Sequence, residues 1–152
     1  VKTNDSVIVP AGAYWLGDPC YSVPDEMWMP WLEAADFKGQ DGVLWARVPG
    51  TDHRVLGFST AYGDGTYIGS NGFEYGVDAG LIGLVPQALA PLPKYPELVS
   101  AIVFVEDTRC TTEDGVLIFG HVSINTADEG YDDDEDYDGQ WYGIDQDEED
   151  DQ

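Results

Sequence analysis

Short runs of alternating or wholly apolar residues, the pattern of strands with one or both faces buried, recur along most of this chain. Residues 6–9 and 13–16 read as two short strands, broken between Pro10 and Gly12. From Gly42 onward, segments 42–48, 53–60, 65–70 and 73–85 are alternating or wholly apolar, and the turn sets PGTD, YGDG and SNG separate them. Asp64-Gly65 and Asn71-Gly72 accept the positive φ of hairpin tips, so four strands joined by tight turns predict an antiparallel meander. Gly76, Gly80 and Gly83 crowd the last of these runs. Glycine inside strands marks bulges or close backbone approach, which suits a barrel-like curl. Residues 87–90 predict a single helical turn, and Pro91, Pro93 and Pro96 a stiff connection too short to separate domains. Segments 101–106 and 116–124 close the body as a hairpin with 111–115 at its tip.

One stretch departs from period two. Residues 22–37, SVPDEMWMPWLEAADF, carry a helix-start pattern: Ser22 to cap, Pro24 in the first turn, Asp25 and Glu26 to complement the positive helix end. Trp28, Trp31, Leu32 and Ala35 share one helical face, the pattern of packing against a sheet rather than of a ligand box. Pro30 predicts a kink or a division into two short pieces. The resulting fold class is mostly β, an antiparallel meander or barrel-like sheet with a short Pro-interrupted helix, with α+β as the alternative.

Length and composition place this pattern in one domain. A chain of 152 residues, 43% hydrophobic with five Trp and nine Tyr, fills a single core, so residues 1–126 are expected to form the compact domain and 127–152 a separate segment. The sequence has neither an apolar run of about 18 residues nor a charged-then-apolar leader at Val1, so a soluble protein is expected. Cys20 and Cys110 have no metal-ligand spacing and are expected as two buried or idle thiols.

Charge changes the picture most. The net charge is −24, of which residues 128–152 contribute −14 through fourteen carboxylates with no Lys, Arg or His, leaving −10 for the rest. Double-stranded DNA carries about one negative charge per 1.7 Å of axis, so carboxylates at comparable density compete for surfaces shaped to grip phosphates. The expected partner is therefore the basic surface of a protein, and nucleic acid itself is not expected as a ligand. An acidic run most commonly keeps a protein dispersed in water. Here Tyr131, Tyr137, Trp141, Tyr142 and Ile144 interrupt the acids, and aromatic residues are enriched where a segment contacts a partner. The candidate partner-binding residues are Asp132, Asp133, Asp134, Glu135, Asp136, Asp138, Asp145, Asp147, Glu148, Glu149, Asp150 and Asp151, with Tyr137, Trp141 and Tyr142 as anchors. The segment is expected to leave a central strand.

The same stretch supports a calcium reading. Asp134, Asp136 and Asp138 precede Gly139, and Asp145 falls at the twelfth place, giving the D-x-D-x-D-G-x5-D spacing that resembles an EF-hand loop. That resemblance implies Ca²⁺ held by Asp134, Asp136, Asp138, the Gln140 carbonyl and Asp145. Asp at the last position has a shorter reach than Glu, and the flanks lack the two helices of the family.

GDPCY at 17–21, AYGDGTY at 61–67, VDAGLIGLVP at 77–86 and GHVSINT at 120–126 together resemble a group of small proteins encoded by tailed phages and prophages. The resemblance covers much of the body but not the acidic segment, and it implies a bacterial host cytoplasm. In charge alone the chain is similar to acidic, DNA-mimicking phage inhibitors of the Ocr type. That implies blockade of a host DNA-handling or defence protein; a virion component is a further alternative.

For an enzyme, Cys20 is the candidate nucleophile, with His53 or His121 as base and Asp18, Asp52 or Asp64 as orienter. No local spacing ties them together. His121 sits in an apolar run, where a sheet histidine is the ordinary outcome, and His53 at a turn is expected to face solvent. YGDG and DAGLIG lack the strand and helix context that holds phosphates, so a binding protein rather than an enzyme is expected. Asp18 before Pro19 predicts a turn with its carboxylate free to bond nearby amides.

Overall fold

Period-two alternation over four to six residues builds strands that must pair to satisfy their backbone groups, and the computed structural model, which describes residues 5–36 and 43–127, shows how they do so. The strands are β1 (Asp5–Val9), β2 (Gly12–Gly17), β3 (Val43–Arg47), β4 (Arg54–Ser59), β5 (Gly65–Ile68), β6 (Glu74–Val77), β7 (Leu81–Pro86), β8 (Ser100–Phe104), β9 (Thr108–Glu113), β10 (Val116–Phe119) and β11 (Val122–Asn125), with one helix, α1 (Asp25–Ala34). The fold is mostly β, and every strand pair is antiparallel. One sheet has the order β1-β9-β10-β11, a second the order β3-β4-β7-β2-β8, and β5-β6 form a separate hairpin.

The strand order differs from a simple meander. β4 pairs with β7 rather than β5, and β7 pairs in turn with β2. The run expected over 73–85 divides at residues 78–80, where Gly80 has φ +76. The expected closing hairpin is also redrawn. β8 joins β2 in the five-stranded sheet, β9 and β10 turn at Asp114 and Gly115 with φ +51 and +86, and residues 116–124 form two strands because Gly120 turns at φ +65.

The chain passes directly between the two large sheets at two places, residues 10–11 between β1 and β2 and residues 105–107 between β8 and β9. They are tied together: Asp107 Oδ1 accepts from the Ala11 amide at 3.1 Å, and the Tyr14 hydroxyl donates to the Pro10 carbonyl at 2.7 Å.

The main core is built from both large sheets and the β5-β6 hairpin. Val9, Cys110, Leu117, Phe119 and Ile124 come from one sheet, Leu16, Leu56, Phe58, Ile82 and Leu84 from the other, and Tyr67 and Tyr75 from the hairpin. A second cluster holds Val23, Trp31, Leu44, Val55, Leu81 and Val85. Alternation explains the division: Val55 and Leu56, or Leu81 and Ile82, point to opposite faces of one sheet.

Helix α1 is a single element with Pro30 inside it, not two pieces. Proline removes one internal hydrogen bond; the burial of the adjacent Trp31 offsets that loss. Ser22 does not cap α1. Pro24 occupies the cap position, and the Ser22 hydroxyl is buried without a hydrogen-bond partner.

Close approach of two strands accounts for Gly83. It pairs with Gly57 across β4 and β7, and a Cβ on Gly83 would lie 1.7 Å from the Leu56 carbonyl oxygen. The Trp31 ring lies over the same place, 3.4 Å from where a Gly57 Cβ would stand.

Candidate functional site

GDPCY and VDAG, sixty residues apart, meet through one side chain. Asp18 is fully buried; its Oδ1 accepts from the Cys20 amide at 3.0 Å, and its Oδ2 accepts from the Asp78 and Ala79 amides at 2.8 and 2.7 Å. The local bond was legible in the Asp-Pro dipeptide; the long-range pair was not. Burial pushes the Asp18 carboxyl above its ordinary range, against the three N–H groups that pull it down. This junction holds β6 and β7 apart as separate strands.

Cys20 stands beside this carboxylate. Burial first, and then the nearby charges of Asp18 and Asp78, push its thiol upward, the reverse of nucleophile activation. Neither histidine is among its charged neighbours. His53 and Asp52 lie in the β3–β4 connection, and Asp64 is exposed in the β4–β5 connection. His121 is an exposed residue of the β10–β11 turn rather than a sheet histidine, because Gly120 breaks the apolar run ahead of it. Of the six residues of the enzymatic reading, Asp18 adjoins Cys20 and Asp52 adjoins His53, while Asp64 and His121 lie in other connections. Cys110 is buried and its thiol is pushed up to about 12; both cysteines are free.

A cavity of about 380 Å³ lies where β1 turns into β2, beside the β3-β4 hairpin. Its lining includes Tyr14, Trp45, Arg47, Asp52, His53 and Arg54. Arg47 and Arg54 are directly opposed across β3 and β4, and the Arg54 guanidinium lies 5.3 Å from the Trp45 ring centroid. No local spacing marks the two arginines as a pair. Their signal was present, since they are two of only six Lys and Arg residues in the chain.

The acidic segment departs from a fixed point. Thr126 is fully buried; its amide donates to the Gly115 carbonyl at 2.8 Å, its hydroxyl donates to the same carbonyl, and its Oγ1 accepts from the Ala61 amide at 3.0 Å. The departure is from β11, an edge strand, and not from a central one. The inner side of β11 pairs with β10, and its outer side meets the β5-β6 hairpin through a Gly69–Ile124 bridge. The partner-binding candidates Asp132, Asp133, Asp134, Glu135, Asp136, Tyr137, Asp138, Trp141, Tyr142, Asp145, Asp147, Glu148, Glu149, Asp150 and Asp151, and the calcium set that adds Gln140, lie outside the described residues. Among the described residues, no three His, Cys, Asp or Glu side chains converge as a metal site, and no helix is long and apolar enough to cross a membrane.

No family model, curated protein or solved structure matches this chain.

Proposed function

We propose that this chain is an acidic binding protein of phage type that blocks a bacterial nucleic-acid-handling or defence protein by presenting carboxylates in place of phosphates. The observation that carries the reading is the fourteen carboxylates of residues 128–152, with no basic residue among them. The clamp at Thr126 supports it, because the acidic residues follow in sequence directly on a fixed point of the body. Electrostatic capture of this kind gives fast association and strong dependence on ionic strength.

The test is competition with double-stranded DNA for basic bacterial DNA-binding proteins. The full chain is expected to displace DNA at about 50 mM salt and to lose at least about tenfold in potency by about 200 mM. Deleting residues 128–152 should abolish displacement; retention of full potency by the shortened chain would reject the reading.

A further inference from the structure

We propose that the cavity beside the β3-β4 hairpin is a binding site for a small phosphorylated molecule, separate from anything the acidic segment binds. In a chain with 30 acids and 6 bases, each basic side chain has an excess of possible partners. Lys94 takes one, pairing with Asp25, and Arg109 donates to the Ser6 hydroxyl at 2.9 Å. Arg47 and Arg54 differ. Among the described residues neither guanidinium has a carboxylate or hydrogen-bond partner, although Asp52 lines the same cavity.

Their placement carries an energetic cost. Like charges directly opposite each other on adjacent strands destabilise the pair, and Arg47 and Arg54 occupy that register. An anion between them relieves the repulsion. Two guanidinium forks, with His53 as a further donor, suit the charge and the several oxygens of a phosphate monoester. Attraction to the Trp45 ring, 5.3 Å away, favours one placement of the Arg54 guanidinium, which lowers the ordering cost of each bond it makes.

The remaining lining sets the ligand's size and character. Tyr14, Trp45, Pro10 and Pro86 give an apolar wall for a ring or sugar. At about 380 Å³ the cavity is at the small end of ligand sites, which run from about 300 to 1,000 Å³. That matches a sugar phosphate or nucleoside monophosphate, not a dinucleotide or a nucleic-acid strand.

Calorimetric titration of the full chain with ribose 5-phosphate and with a nucleoside monophosphate tests the assignment. Saturable 1:1 binding is expected. Arg47→Ala and Arg54→Ala should each weaken it about tenfold or more, with Arg54→Lys in between. Arg47→Ala should melt no lower than the parent, since it removes a like-charge pair, so loss of binding cannot be charged to unfolding. Asp52→Asn should tighten binding by about two- to fivefold, because it removes the one carboxylate in the lining. Absence of saturable binding, or affinity indifferent to both arginines, would overturn the assignment. Weaker binding in Asp52→Asn would overturn it too, by showing that the carboxylate attracts the ligand. None of these outcomes bears on DNA competition by residues 128–152, so the two readings fail separately.

Discussion

Asp18 is the only fully buried carboxylate among the described residues, and its three acceptor bonds join two loops that are distant in sequence. Asp18→Ala leaves the Asp78 and Ala79 amides without their partner, so a loss of about 3 kcal/mol is expected in urea unfolding. The pH dependence has a definite sign. With a native pKa above the ordinary 3.8, the folded chain holds the Asp18 proton to higher pH than the unfolded chain does. Its contribution is complete below 3.8 and is lost as pH rises through the native value, so the melting temperature should fall across that window. Asp18→Asn should flatten this part of the slope. The cysteines make a parallel case. Burial raises both thiols, so native protein at about pH 8 should resist alkylation at Cys20 and Cys110, while the unfolded chain should react at both within minutes.

Among the elements, the contact of β4, β7 and α1 is the most exacting. The Gly57–Gly83 pair brings two backbones together under the Trp31 ring, and a methyl group at Gly83 would overlap the Leu56 carbonyl. Gly83→Ala is therefore expected to yield no folded protein, or one destabilised by more than about 4 kcal/mol, as judged by circular dichroism and urea titration. Trp31→Ala opens a cavity in the second cluster and should cost about 3–5 kcal/mol. The run of glycines from Gly76 to Gly83 announced a close approach without saying which strand would approach. Helix α1 was legible from its acidic start and apolar face. Its continuity through Pro30 was not, because burial of Trp31 outweighs the missing hydrogen bond, and burial is a property of the assembled sheet.

For the whole molecule, the described core lies entirely within residues 5–127, in three sets of paired strands. A net charge of −24 opposes any compact state through self-repulsion, so the melting temperature should rise as salt is raised from about 20 to about 200 mM. Strand content, the antiparallel sense and the anionic end were all readable from alternation, turn dipeptides and composition, because each depends on neighbours within a few positions. Which strands pair was not readable. β4 could be followed by β5 in the sheet as easily as by β7 until Asp18 captured the amides after Val77 and Gly83 admitted Leu56, both contacts between distant segments. The same holds for the cavity. Arg47 and Arg54 are unremarkable in a list of residues, and only the register of β3 against β4, with the β1–β2 corner folded beside it, sets two guanidinium groups around one space. Local chemistry decides what each segment is; long-range packing decides what each segment faces, and the ligand-sized site exists only at that second level.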